Sequence, residues 1–193
     1  MNIPEDKQHL RKEMRKILQT LSLEERENKS QSIIQNITAL SMVERSVTIL
    51  GFIPMQSEPD LSPFYDAVMA LGKKVAFPCC SSNGQMVYHL VDKDWHKHLV
   101  RSPYGNLEPN KDKYSPIYLP ILKPSILLVP GLAFSPMRQR LGRSMGVFDR
   151  FLAHKDLNCF SIGVCFALQI RKTIPLEPHD FTLDLVVTES QTY

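Results

Sequence analysis

Residues Ile126 to Leu152 read ILLVPGLAFSPMRQRLGRSMGVFDRFL. The apolar run at the start is too short for a helix and is closed by Pro130 and Gly131, which predicts a buried strand. The basic, glycine-punctuated segment behind it predicts a loop that opens into a helix. A strand ending in such a loop is where α/β proteins hold anions, because free backbone N–H groups and fixed cations converge there.

Upstream, Leu10, Met14, Ile17 and Leu21 recur at helical spacing after Pro4 and Glu5, which predicts an N-terminal helix. Lys7, Arg11 and Arg15 lie on another face of it, four residues apart. Such rows usually form a solvated basic face, and the alternative is that Lys7 and Arg11 reach a phosphate. Ser22 and Glu25 have capping-box spacing, so a second helix follows with Ile33, Ile34, Ile37 and Leu40 inward.

The pattern then changes period. Val47 to Ile53 predicts a core strand stopped by Pro54, and Leu61, Phe64, Tyr65, Val68 and Leu71 form one face of a third helix that Gly72 ends. Glu58 sits between that strand and that helix, where an acid either interacts with the helix dipole or binds a ligand amine, and the residues alone favour the helix-start role. Shorter strands are predicted at Lys74 to Pro78 and at Met86 to Val91, the latter at an edge. The strand-helix-strand rhythm predicts parallel pairing in an α/β fold.

Asp92 to Lys123 is proline-rich and predicts an irregular connection with a turn at Glu108-Pro109. His96 and His98 lack an acid or thiol at metal-binding spacing, so surface or packing roles suit them better. Beyond the opening stretch, Asp149 to His154 continues as a helix, Cys159 to Cys165 forms a strand broken by Gly163, and Leu183 to Val187 forms the last strand.

The chain of 193 residues is long enough for one domain, which we place at 1–193. A net charge of +3 is too slight for a general nucleic-acid surface, so any cationic site is local. No apolar stretch is long enough to span a bilayer and no signal-peptide order opens the chain, which predicts a soluble cytoplasmic protein. The four cysteines, Cys79, Cys80, Cys159 and Cys165, lack zinc spacing and fit buried thiols, the alternative being that Cys159 and Cys165 face one another or react.

Arg140 and Arg143 flank Leu141-Gly142, and Gly146 precedes Val147-Phe148-Asp149. Arginines grip phosphate oxygens in a bidentate fork, glycine lets a backbone approach them closely, and Asp149 adds a hard oxygen ligand for magnesium. The segment is neither a P-loop nor a dinucleotide fingerprint. By spacing alone, a nucleotide site and an ordinary turn with two exposed arginines fit equally.

The order Val-Pro-Gly-Leu-Ala-Phe, five residues, Arg-Leu-Gly-x-x-x-Gly-x-x-Asp-Arg-Phe-Leu resembles the signature of the 5-formyltetrahydrofolate cyclo-ligase family. Lys7-x-x-x-Arg11, Phe-Ile-Pro followed by Glu58, Gly-x-Leu-Glu108-Pro109, and Ile-Gly-Val-Cys-Phe-Ala-x-Gln169 followed by Pro175, His179-Asp180 and Asp184 to Glu189 agree in order. The resemblance implies a three-layer α/β/α domain with a mainly parallel sheet, similar to the sugar-phosphate isomerase and CoA-transferase group. It implies ATP- and magnesium-dependent closure of 5-formyltetrahydrofolate to 5,10-methenyltetrahydrofolate by a monomer that binds neither nucleic acid nor membrane.

Carried over by position, the resemblance implies that Lys7, Arg11 and the segment Arg140, Leu141, Gly142, Arg143, Ser144, Met145, Gly146, Val147 and Phe148 bind ATP. Asp149 and Asp180 would hold magnesium, while Ile53, Glu58, Arg143 and Val147 would meet the folate, and Arg140, Arg143 and Asp149 would carry the chemistry. The loop departs from the family pattern at Ser135 (usually Asp), Arg138 and Ser144 (usually Gly), and at Val147-Phe148 in place of a tyrosine pair. Those departures define an alternative, a homologue that binds folate or nucleotide with little turnover. A basic RNA-associated protein is a third reading, carried only by the first helix and the slight positive charge.

Overall fold

The computed structural model describes residues 3–81, 85–102, 105–118, 124–143, 146–153 and 159–193. Helices α1 (Ile3–Leu18), α2 (Leu23–Thr38) and α3 (Ser41–Arg45) precede strand β1 (Thr48–Leu50) and helix α4 (Ser62–Ala70). Strands β2 (Lys74–Cys80), β3 (Met86–Val91), β4 (Leu99–Arg101), β5 (Leu107–Pro109), β6 (Pro116–Ile117) and β7 (Ser125–Val129) follow. Then come β8 (Ala133–Phe134), β9 (Arg140–Leu141), helix α5 (Val147–Leu152), β10 (Phe160–Val164) and β11 (Leu185–Val187).

Seven strands form one sheet in the order β11-β10-β7-β1-β2-β3-β6. The first five are mutually parallel, as the strand-helix-strand rhythm predicted. The rhythm fails past β2, because β2 and β3 are joined as an antiparallel pair with no helix between them, and β6 rather than β3 forms the edge.

Alternation along the strands sorts the core into two faces. Ile49, Val75, Phe77, Ile126, Leu128, Ile162, Val164 and Val187 pack with Met14 and Leu18 of α1, Ile33 and Ile37 of α2, and Phe64 and Val68 of α4. Leu50, Ala76, Leu127, Val129 and Val186 point the other way and pack with Phe151 and Leu152 of α5. A sheet apolar on both faces must be covered on both, so the fold has three layers, α/β/α.

Local signals set several boundaries. Ser22 Oγ accepts from Glu25 N at 3.1 Å while Glu25 Oε2 accepts from Ser22 N at 2.8 Å, completing the expected capping box. Gly72 at φ 81° ends α4, but Leu71 is 78% exposed and leaves the helix face to which its spacing assigned it. β1 is shorter than Val47 to Ile53, since Val47 is exposed and Pro54 has no N–H to extend a ladder. Among the described residues no helix is long and apolar enough to cross a membrane.

Two other expectations need correction. Glu108-Pro109 is not a turn but part of β5, paired with β4 and buried, because the reversal is taken earlier, at Gly105 with φ 87°. The segment after β7 is not a simple loop, because it first folds into the β8–β9 hairpin. The helix expected at Asp149 to His154 starts at Val147 and ends at Leu152, and His154 lies outside the described residues.

The hairpin explains two of the departures from the family pattern. Ser135 is buried and braces the turn, its Oγ lying 3.0 Å from Gln139 Oε1 and accepting from Gln139 N at 3.3 Å. Arg138 has φ 62°, a left-handed conformation that strains an L-residue by about 1–2 kcal/mol. Arg138→Gly is expected to stabilise the fold by about 1 kcal/mol, after loss of the Nη1 bond to Asp184 O at 3.1 Å. That is a rise in Tm of about 2–4 °C. An unchanged or lower melting temperature would show that the turn carries no strain.

The aromatic block beneath the sheet fixes the histidines. Trp95 lies 4.7 Å from the Phe77 ring and donates Nε1–H to Asp66 Oδ1 at 2.9 Å. His96 stacks on Trp95 at 3.7 Å and pairs with Asp66 Oδ2 at 3.1 Å, a surface packing role. All four cysteines are free thiols, so Cys159 and Cys165 form no bridge.

Candidate active site

Chain order decides where a site can form. From β1 the chain moves to β2 on one side, whereas from β7 it moves to β10 and β11 on the other. The connections therefore diverge beyond the carboxyl ends of β1 and β7, leaving a crevice at the switch point of the sheet. Phe52 and Ile53 follow β1, Pro130 follows β7, and Pro78 and Cys80 end β2; all five line one cavity of about 470 Å³.

Arg140 of β9 is the wall of that crevice. It is 4% exposed, with Nη2 2.7 Å from Asp149 Oδ2 and Nη1 donating to Pro130 O at 3.1 Å. Its guanidinium carbon lies 5.7 Å from the centre of the Phe148 ring, and its Nε has no partner. Gly142 is needed beside it, since a Cβ there would sit 3.0 Å from Arg140 Nη1. Gly146 at φ 59° turns the chain into α5 and so delivers Val147, Phe148 and Asp149 to the cavity.

On the other side of Arg140 lies a smaller cavity of about 80 Å³, lined by Lys7, Arg11, Leu141, Glu177, His179 and Asp180. Arg140, Gly142, Gly146 and Asp149 belong to both cavities. Lys7 is not on a solvated face: it is 4% exposed, 2.7 Å from Glu177 Oε2 and 2.5 Å from Asp180 Oδ2. Arg11 donates Nε–H to Gly142 O at 2.9 Å, tying α1 to the β9–α5 loop. Burial and the neighbouring Arg15 lower the Arg11 pKa, opposed by Asp180, Glu177 and Asp149.

Burial alone would raise the Asp180 pKa, yet the Glu177 amide at 2.7 Å and the Lys7 ammonium outweigh it and hold the carboxyl below its usual range. One oxygen or nitrogen from each of Glu177, His179 and Asp180 falls within a 4.8 Å cluster. Hard oxygen donors beside fixed cations form a setting that fits magnesium bound together with phosphates.

Glu58 does not start a helix, because α4 begins at Ser62. It accepts from Met55 N at 2.9 Å and from Arg143 Nε at 2.8 Å, while Arg143 Nη2 donates to Ser57 Oγ at 2.8 Å. Arg143 is thus turned away from Lys7 and Arg11, and lines the larger cavity with Glu58, Ile53 and Val147. Ser144 and Met145 lie outside the described residues.

Several lining residues carry no motif-level signal. Glu177 sits on a loop far from Lys7 in sequence, and Asn106 and Cys80 look like ordinary turn and strand residues. A third cleft of about 530 Å³ opens from the first across Arg15, Met55, Asn106, Leu107 and Arg143, and adds Arg26 and Arg101. Arg15, Arg26 and Arg101 donate only to the carbonyls of Arg143, Leu21, Gln56 and Gly105. None of the three has a carboxylate partner among the described residues.

Residues 3–189 match the model of the 5-formyltetrahydrofolate cyclo-ligase family. A 5-formyltetrahydrofolate cyclo-ligase of Mycolicibacterium smegmatis is 30% identical over 148 residues, covering 73% of each chain. The Mus musculus enzyme of that name is 26% identical over 189 residues, 95% of this chain and 93% of its own. The solution structure of an Aquifex aeolicus 5,10-methenyltetrahydrofolate synthetase superposes with a TM-score of 0.79 at 27% identity, over 96% of this chain and 91% of that one. With the family model matched over residues 3–189 and relatives of that name along nearly its whole length, the chain belongs to the 5-formyltetrahydrofolate cyclo-ligase family.

Proposed function

We propose that the protein couples ATP cleavage to ring closure of 5-formyltetrahydrofolate, giving 5,10-methenyltetrahydrofolate, ADP and phosphate. The observation that carries this reading is Arg140 with Asp149 in the wall shared by the two cavities. One cavity is mainly apolar and large enough for a fused-ring substrate, and the other is small and lined by cations and acids. A group that faces both is placed at the atom passed between them.

ATP phosphates lie against Lys7, Arg11, Gly142 and Gly146, with the folate ring over Ile53, Val147 and Phe148. Asp149 and Asp180 would hold magnesium, which on binding neutralises phosphate charge. The formyl oxygen on N5 attacks the γ-phosphorus and ADP leaves, which converts a poor leaving oxygen into a phosphate. N10 then attacks the formyl carbon, its proton passes to solvent or phosphate, and the carbon–oxygen bond breaks to release phosphate. The chain's own contribution is alignment and charge: Arg140 and Arg11 are held in place before the reaction, so no reorganisation is needed as charge moves.

Purified protein with ATP, magnesium and 5-formyltetrahydrofolate is expected to develop methenyl absorbance in step with ADP release. Binding of either ligand without product would instead identify a non-turning-over homologue, and the Val147→Tyr variant beside the parent shows whether the lost phenol matters.

The three arginines without acid partners suit the carboxylates that end the folate's glutamate. Arg101→Gln is expected to raise KM for the folate about 3- to 10-fold, leave KM for ATP unchanged and weaken the dependence of KM on salt. Equal folate KM values for parent and variant at low salt would remove the tail from this cleft.

A further inference from the structure

One carboxylate in the larger cavity is left over by this mechanism. Of the acids lining it, Glu58 is paired with Arg143 and Asp149 with Arg140. Glu108 is 3% exposed and has no cation within ion-pair distance among the described residues. Both of its hydrogen bonds fall on Oε1, from Cys80 N at 3.0 Å and from Asn106 Nδ2 at 3.3 Å. Lys111, nearby, directs Nζ to Cys80 O at 3.5 Å instead. The charge is felt locally: burial first, and Glu108 second, push the Cys79 thiol up to about 12 and raise Cys80 as well.

A buried carboxylate with one idle oxygen is costly unless a donor meets it. Nearby backbone donors are committed, since the Cys80 N–H is already spent on Oε1 and β5 is paired with β4. Glu108 lines the cavity, so a further donor for Oε2 is supplied by what fills it. A folate ring carries N3–H and the 2-amino group side by side, two donors on one edge within reach of a single carboxylate oxygen.

Resting on the cyclo-ligase reading, we propose that Glu108 recognises the amino-pyrimidine edge of the folate ring through its free Oε2, and so sets ring specificity and the direction in which the formyl group points. Glu58, already neutralised by Arg143, then serves the rest of the substrate rather than this edge. Glu108→Gln keeps an acceptor for the Cys80 amide while removing the charge.

The test measures binding of 5-formyltetrahydrofolate and of its 2-desamino analogue by calorimetry without ATP, for the parent and for Glu108→Gln. The parent is expected to bind the analogue about 10- to 100-fold more weakly than the full ligand, and Glu108→Gln to lose about the same factor on the full ligand while discriminating little between the two. KM for ATP stays within about twofold.

A merely structural Glu108 would lower the melting temperature and leave the ratio of the two affinities unchanged, which overturns the proposal. A parent that binds both ligands equally also overturns it, without needing any variant to fold. A parent that binds and discriminates the ligands but forms no methenyl product defeats the turnover reading while Glu108 stands, so the two failures are distinguishable.

Discussion

Arg140→Lys is expected to lower kcat for methenyl formation by about 10²- to 10³-fold, with KM for either substrate changed far less. Lysine keeps the charge but not the planar fork, so it cannot hold Asp149 and Pro130 O at once while facing a phosphate. A donor aimed at developing charge contributes about this much in enzymes where one has been removed. Arg140→Ala should do more, because it also leaves Asp149 without its partner. Breaking a buried pair from one side costs about 3–5 kcal/mol, and the Asp149 side chain, 14% exposed, places the alanine variant at or below the lower end. Pre-steady-state turnover and denaturant unfolding together separate the two effects. A lysine variant with kcat within threefold of the parent would remove Arg140 from the chemistry.

Lys7→Met is expected to raise KM for ATP about 10-fold or more and to destabilise the fold by about 3 kcal/mol, about 6–12 °C in Tm. Among the described residues the ammonium is the only side chain of α1 that pairs with the acids of the 177–180 loop, and its side chain is 5% exposed. Removing it leaves Glu177 and Asp180 as neighbouring like charges.

The pH dependence follows from Asp180. Its folded pKa is depressed, so its stabilising contribution is complete above the unfolded value of about 3.9 and is lost as pH falls through the lower folded value. The gap in stability between parent and Lys7→Met should hold steady from neutral pH down to about 4 and close in stronger acid. A gap that closes instead between pH 7 and 5 would place the lysine's contribution elsewhere.

The loop's departures from the family pattern separate into two kinds. Ser135 and Arg138 shape the β8–β9 turn, where a serine braces the chain and an arginine accepts backbone strain. Val147 and Phe148 line the larger cavity, and Phe148 lies beneath the Arg140 guanidinium. Among the described departures only the second pair lines the cavity proposed for the folate, so stability should respond to the first and turnover to the second.

The sequence by itself determined the parts that depend on near neighbours. The capping box at Ser22, the glycine stop at Gly72 and the apolar runs of β1, β2 and β7 were legible, because helix ends, strand alternation and turns are decided within a few residues. Even there, the hairpins β4–β5 and β8–β9 escaped, since strands of two or three residues show too few alternations to register.

Only the tertiary structure decided which charges meet. Lys7 is 170 residues from Glu177 and 173 from Asp180, and Glu58 is 85 from Arg143. Read along the chain, Lys7 belonged to a solvated face and Glu58 to a helix start. The order of strands in the sheet overruled both, because it opens the crevice between β1 and β7 and draws α1, the β9–α5 loop and the 177–180 loop around it. Pairing partners are a property of that strand order, and no local period encodes it.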